Sequence, residues 1–438
     1  MVLLTWKVRI NPTKKQEELL WELSETCRIL YNQALVERRY LYDTYNCSVS
    51  YRDQQNALPE LKKQYPRYNI VYSKVLQMTL KKLDGAFKAF FGLRKNGDTT
   101  AKLPTFRGKQ YFFTLCYNQS GFKITNQAIQ FSHKHPCNTE LTFSIPFDFT
   151  SYQIKQIELF FDRYDNKFYL TVTYDQPVPP FADNGLYQAF DLGIIKHTAV
   201  NFQGKFLESI VRRPDKYWEP KIQALQRRKD HCKKGSKRHR LFGQRLFTIK
   251  RKCSNQTKDW QHKQSKNYVQ NTKANTIIVG DLSPRQMVKT AKNKGKMKKY
   301  HKSINRGVHN TGHLNRFVEL LTYKAKLLGK RVITIDERNT SKTCAFCGYK
   351  KSHLLLSQRI YHCESCGTVL DRDKNSAINI MKRFLSYNAL WTSYQCFEKN
   401  LQYLQNIGNL RYYSQTANDK TKVSSQLYLK GLLGSADS

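Results

Sequence analysis

Four cysteines stand in two pairs, Cys344-x-x-Cys347 and Cys363-x-x-Cys366, fifteen residues apart, each pair followed by a glycine (Gly348, Gly367). Two such knuckles present four thiolates tetrahedrally to one Zn²⁺, and full sulfur coordination leaves no open position, so that ion would be structural. His353 and His362 lie within the segment but exceed the ligand count. Carboxylates make up a second set. Asp191, in "AFDLGI", interrupts a strand that is apolar on both sides. A charge there is costly unless a cation or hydrogen-bond donors receive it; a turn or capping aspartate is the plainer alternative. Asp371 and Asp373, in "LDRDKNSAINI", stand where a helix begins. One of them can serve as the N-cap, which leaves the other free.

The composition says what kind of molecule these groups serve. The chain has 438 residues, too many for one ordinary core and enough for two to four domains. Its hydrophobic content of 40%, with 13% aromatic residues, is sufficient for real cores. The formal charge of +42, from 75 basic against 33 acidic residues, opposes compaction and points to a polyanionic partner, most simply nucleic acid. A membrane surface could also use that charge, but no run of about 18 apolar residues offers a span. The opening "MVLLTWKVRI" is too short in apolar residues for a signal peptide. The other seven cysteines are scattered singly, as in a reduced intracellular protein.

Periodicity then gives the elements that must position the site. "NPTKKQEELLWELSETCRILYNQAL" opens a helix on a Thr13/Gln16 capping box, with Leu20, Leu23, Cys27, Leu30 and Ala34 on one face. A second helix over 73–94 repeats the rhythm at Leu76, Leu80, Leu83, Phe87 and Phe90. From about 104 the pattern changes to short strands. The clearest is a hairpin with Ile157, Leu159 and Phe161 facing Phe168, Leu170, Val172 and Tyr174, and the group suggests a small antiparallel barrel. "QPVPPFADNG" reads as a linker. "LYQAFDLGIIKHTAVNFQGKFLES" reads as three strands with tight turns at Gly193 and Gln203-Gly204. A basic helical region follows from 214 to about 273, where Phe242, Leu246, Ile249, Cys253 and Trp260 form an apolar stripe.

Between Lys221 and Lys252 thirteen Lys/Arg face one acid, Asp230. A solvated face is the ordinary reading of a charge run, yet like charges this dense repel unless a polyanion screens them. Arg227, Arg228, Lys233, Lys234, Lys237, Arg238 and Arg240 are therefore candidate nucleic-acid contacts. A strand at 276–281, the Lys-rich "VKTAKNKGKMKKYHKS", a helix at about 311–329, the strand "KRVITIDE", the cysteine segment and the helix "DRDKNSAINIMKRFL" complete the unit. Strand-strand-strand-helix-strand-helix-strand-helix is the order of an RNase H-like fold. After about 388 a tail rich in Asn, Gln, Tyr and Ser shows no clear period, and part of it is expected to be disordered.

Together, "RINPTKKQ", "ILYNQAL", "FDLGI", "DWQHKQS", "LTYKAKLLGK", "TSKTCAFCG", "CESCG" and "DRDKNSAINI" resemble the TnpB (OrfB) family of insertion-sequence proteins, in order, over about residues 1–385. The resemblance implies a transposon-encoded, RNA-guided DNA endonuclease in the cytoplasm of a prokaryote, associated with the nucleoid. A guide RNA transcribed near the element would pair with one strand of double-stranded target DNA, while the protein checks a short flanking motif. No membrane is implied. The cutting site of the family holds two divalent ions, Mg²⁺, between three carboxylates. Motif matching puts Asp191 first and Asp373 last. The middle carboxylate is commonly a Glu just before "DL" at the end of the fourth strand, where this chain has Gly280.

Three acids are candidates to replace it. Asp281 is nearest in sequence, but strand side chains alternate, so it should point away from the face of position 280. Glu319 falls off the helical stripe of Leu314, Phe317, Val318, Leu321, Ala325 and Leu328, toward solvent. Glu337 ends "RVITIDE", which the resemblance makes the fifth strand, parallel to the fourth, so their ends should line up at one sheet edge. Family members with "GDL" look to carry "ER-x-TSKTC", as "ERNTSKTC" does here. The alternative is that Glu337 pairs with Arg338 or Lys342 at the surface.

The expected architecture is multidomain α/β. Residues 1–10 and 104–180 form a β-barrel, and 11–103 an inserted helical recognition lobe. Residues 185–340 and 368–388 form an RNase H-like (RuvC) nuclease domain, 341–367 an inserted zinc ribbon, and 389–438 the tail. Three functions of different class follow: an active nuclease with a relocated glutamate, Glu337; a nuclease-dead, RNA-guided DNA-binding repressor; and a conventional DNA-binding zinc-ribbon protein. The last leaves Asp191 and the element order unexplained.

Overall fold

The computed structural model describes residues 1–125, 127–281, 314–355 and 358–406. Two compact units emerge, residues 1–179 with 225–249, and residues 180–224 with those from 250 onward. The Lys-rich segment from 288 and the tail beyond 406 lie outside the described residues.

In the first unit, strand β1 (Val2–Ile10) leads into helix α1 (Lys14–Tyr45). The capping box forms as expected: the Thr13 hydroxyl accepts from the Gln16 amide, and the Gln16 side chain accepts from the Thr13 amide at 3.0 Å. Leu20, Leu23, Cys27, Leu30 and Ala34 are all buried. Short helices α2 (Tyr51–Asn56) and α3 (Leu58–Gln64) precede α4 (Ser73–Lys95). Strands β2 (Leu115–Asn118), β6 (Gln153–Asp162) and β7 (Lys167–Gln176) join β1 in one antiparallel sheet, order β1-β7-β6-β2. Phe161 pairs with Phe168 and Leu159 with Leu170, the expected hairpin.

The barrel itself is a correction. Strands β3 (Phe122–Thr125), β4 (Ala128–Phe131) and β5 (Leu141–Ser144) make a separate three-stranded sheet, so the described strands form two open sheets rather than one closed ring. Each of these three strands has four residues; β4 is paired on both sides, and β3 and β5 are the edges of this small sheet. One core nevertheless runs through the unit, joining Leu23 and Leu80 of the helices to Leu141, Leu159 and Leu170 of both sheets.

The second unit is built on β8 (Tyr187–Leu192), β9 (Lys196–Asn201), β10 (Phe206–Ile210), β11 (Thr276–Gly280) and β12 (Arg331–Ile335). Their order is β10-β9-β8-β11-β12, with the first three antiparallel and β11 parallel to both β8 and β12. Helices cover both faces, so Ala189 and Phe190 of β8 and Ile277, Ile278 and Val279 of β11 are all buried whichever way they point. Ala189 and Ile278 face α8 (Arg372–Tyr387) and α9 (Trp391–Asn406). Phe190, Ile277 and Val279 face Tyr268 of α6 (Lys237–Asn271) and Phe317 and Leu321 of α7 (Leu314–Leu327). Leu328, expected in the α7 stripe, is 47% exposed because the helix stops one residue earlier.

The basic region is two helices, α5 (Pro214–Asp230) and α6, about a turn at 231–236. The tail begins with α9, whose Phe397 and Leu401 are buried. Among the described residues no helix is long and apolar enough to cross a membrane.

Candidate active site

The cysteines converge. The ligand atoms of Cys344, Cys347, Cys363 and Cys366 all lie within 4.8 Å of one another, with Sγ–Sγ distances of 3.7 Å (Cys344–Cys366) and 3.5 Å (Cys347–Cys363). Among the described residues this is the group of His, Cys, Asp or Glu whose ligand atoms already lie close enough together to hold one metal ion, and its chemistry fits Zn²⁺. Gly348 and Gly367 both have positive φ, 77° and 69°, closing each knuckle with the conformation that glycine adopts freely. His353 and His362 are absent from the cluster.

The carboxylates come from three separate stretches of chain. Asp191 is the penultimate residue of the central strand β8. Burial pushes its carboxyl up to about 7, and repulsion from Asp373 and Glu337 adds to this, while a hydrogen bond with Ser376 works the other way. Asp371 is the N-cap of α8: one of its oxygens accepts from the Asp373 and Lys374 amides at 2.9 and 3.1 Å. Asp373 is therefore not needed for capping, and its oxygens face Lys196 and Arg359 instead. Its carboxyl is raised by burial and then by Asp371, against the pull of Lys196, Arg359 and Arg372.

Glu337 follows β12 by two residues, and β12 ends with Ile335 paired to Gly280. A Cβ at position 280 would overlap the Glu337 Oε2 and lie 3.0 Å from its Cβ and 3.2 Å from its Cδ. The missing side chain at 280 and the carboxylate at 337 thus occupy one volume. Burial raises the Glu337 carboxyl to about 7, helped by Asp281 and Asp336. Its surface alternatives are taken elsewhere: Arg338 reaches Asp336 at 3.9 Å, and Lys342 donates to the Ser352 carbonyl. Asp281 and Glu319 are both exposed.

Sequence reasoning passed over the groups that hold these acids in place. The Thr340 hydroxyl donates to the Glu337 carbonyl at 2.8 Å and meets the Ser376 hydroxyl at 3.0 Å, so Ser376 links the Asp191 strand to the Glu337 loop. Asn375 accepts from the Ala345 amide, and both Asn375 and Asn379 donate to the Thr340 and Thr343 carbonyls. The signal was present as "NSAIN", two amides four residues apart on the face of a helix that otherwise buries Ile and Ala. Lys196 was missed as well; its ammonium lies 2.6 Å from Glu208, 3.0 Å from Asp371 and 3.7 Å from Asp373.

Arg227, Arg228, Lys233, Lys234, Lys237, Arg238 and Arg240 all lie at the end of α5, in the turn, or at the start of α6, and all seven are exposed.

Comparison with known proteins adds the following. Residues 315–380 match the family described as Cas12f1-like, TNB domain, and residues 1–47 match one described as a helix-turn-helix domain of the OrfB/IS605 type. In this chain the latter stretch is one strand and one continuous helix rather than two helices about a turn. Two relatives carry the name "Putative RNA-guided DNA endonuclease". The one from Streptomyces pristinaespiralis is 24% identical over 88% of this chain and 90% of its own length. The other, InsQ of Escherichia coli K12, is 23% identical over 86% and 92%. A TnpB-like protein, L79, of Acanthamoeba polyphaga mimivirus is 33% identical over 34% of this chain and 26% of its own. The fold is similar to that of a Cas12f1 chain solved by cryo-EM in complex with sgRNA and target DNA, with TM-score 0.52, 15% identity, and 84% and 83% of the two chains covered.

Proposed function

The chain is a member of the TnpB (OrfB) family, and from that premise we propose that it is an RNA-guided DNA endonuclease whose cutting centre is Asp191, Glu337 and Asp373. The observation that carries the reading is the gathering of three acids from β8, the end of β12 and the start of α8. Burial raises all three carboxyls, and Asp191 feels both of the others. Like charges held this way call for a cation. The β10-β9-β8-β11-β12 order, which is that of an RNase H-like sheet, supports a RuvC-type assignment.

These residues fit Mg²⁺, a hard cation that prefers a few carboxylates plus water and substrate phosphate. Bound there, a pair of such ions would activate water and stabilise the leaving oxygen of the phosphodiester. The chain's own contribution is to fix the acids. Ser376 and Thr340 tie the Asp191 strand to the Glu337 backbone, and Asp371 caps α8 so that Asp373 stays available. The four cysteines fit one structural Zn²⁺. The exposed basic residues of the α5–α6 turn suit guide RNA or DNA backbone.

The test is to sequence RNA that co-purifies with the protein and supply matching target DNA with Mg²⁺. Wild type should cut it, and Glu337→Gln should stop cleavage while guide-directed binding survives. Normal cutting by Glu337→Gln, together with loss of cutting in Asp281→Asn, would assign the third acid wrongly. Guided binding without cleavage by wild type in either Mg²⁺ or Mn²⁺ would make the protein a repressor, the reading that Gly280 motivates.

A further inference from the structure

Asp373 already has a cation at each of its oxygens. Lys196 Nζ stands 3.7 Å from Oδ2, and Arg359 Nη1 stands 3.6 Å from Oδ1. Lys196 is the more firmly built of the two. It opens β9, its side chain is 22% exposed against 46% for Arg359, and it is anchored by Glu208 at 2.6 Å. Lys196 pairs with Ile210 across the β9–β10 ladder, which makes Glu208 its diagonal neighbour on the same face. Glu208 also lies 3.9 Å from Lys374, so it sits between two ammonium groups. Asp371 divides its oxygens, one capping α8 and the other receiving Lys196 at 3.0 Å. The ammonium is thus fixed by Glu208 and Asp371 beside an acid assigned to metal.

We propose that Lys196 is a built-in counter-ion that competes with divalent metal for the carboxylate centre, so that metal binds firmly only when substrate phosphate adds negative charge. The inference rests on the nuclease reading above. A divalent ion brought to Asp373 enters the field of a held positive charge a few ångströms away, partly shielded from water, and like charges at that range repel strongly. An incoming phosphate supplies the missing negative charge. By linkage, metal and nucleic acid then strengthen each other's binding at this site. The hold of Glu208 and Asp371 keeps the ammonium from being displaced outright.

The experiment is a Mn²⁺ titration of the guide-loaded protein without DNA, reading free Mn²⁺ by electron paramagnetic resonance. The signal is the binding in excess of the Asp191→Asn/Asp373→Asn double variant, which accounts for ions held by RNA. Lys196→Met should tighten this increment by roughly tenfold or more, and Lys196→Arg, which keeps the charge, should remain close to wild type. Zinc content and guided DNA binding report whether each variant is folded. If Lys196→Met fails that check, Lys196→Gln takes its place. An unchanged or weaker increment in the neutral variants overturns the proposal and leaves Lys196 as a brace for α8. If no protein exceeds the double variant even with target DNA present, the metal-centre reading itself falls, and this inference with it.

Discussion

At the scale of single residues, Gly280 and Glu337 make one feature. Gly280→Ala puts a methyl group where the Glu337 carboxylate lies, and the flexible end of the glutamate must give way. We expect the fold to survive and Mn²⁺ affinity to fall about 10–100-fold, as when other groups that orient a metal ligand are lost. Affinity equal to wild type would show that Glu337 is not a ligand. The reciprocal change is more telling: Glu337→Ala should be inactive, and adding Gly280→Glu should restore part of the cleavage. Asp191 and Glu337 also predict a pH signature, since both carboxyls are raised to about 7. Between their unfolded values near 4 and about 7 the fold binds protons that the unfolded chain has released, so stability falls as pH rises. Without added divalent metal, Asp191→Asn/Glu337→Gln should gain melting temperature over wild type from almost nothing at pH 4 to a full effect above pH 7. A gain that shrinks with pH would contradict the assignment. Asp191 was legible because an acid inside an apolar strand is conspicuous. Lys196 was not, because a lysine at a strand start is ordinary until the three acids facing it are known.

At the scale of elements, α8 and the loop entering the cysteine segment are stitched together by Asn375 and Asn379. Asn375 is 1% exposed and makes three hydrogen bonds, to Ala345, Thr340 and Thr343. Asn375→Ala leaves the buried Ala345 amide without its acceptor, while the Thr340 and Thr343 carbonyls keep Asn379, and should cost about 1–3 kcal/mol in denaturant unfolding; a cost under a few tenths would refute the stitch. Zinc analysis should find about one ion per chain in wild type and a clear deficit in Cys363→Ser. The five strands of the second unit's main sheet were legible because each carried a period or an apolar run bounded by turn residues. The two sheets of the first unit were not read correctly, since strands of four residues carry too little pattern to reveal their partners. Helix α9 was missed for a similar reason: Phe397 and Leu401 are buried while Trp391 and Tyr403 are exposed, so its stripe is thin.

At the scale of the whole molecule, the charge of +42 makes affinity a function of salt. Replacing Arg227, Arg228, Lys233, Lys234, Lys237, Arg238 and Arg240 with Gln should weaken guide-RNA or DNA binding. The slope of log K against log salt should become shallower by roughly 0.7–0.9 for each phosphate contact removed. An unchanged slope would return those residues to the solvated face. The two regions should also age differently. Exposed cations acting through a shared field are interchangeable, so single replacements in the α5–α6 turn should be nearly silent and accumulate freely. Helix α8 has no such freedom, because every residue from Arg372 to Ser386 is at least partly buried and only Tyr387 is exposed. One side of it packs on the sheet, another grips the cysteine loop, and its first turn carries Asp373. In a saturation-mutagenesis screen for cleavage, α8 should stand out as a block of intolerant positions, and descendants of this gene should keep it when most of the rest has drifted.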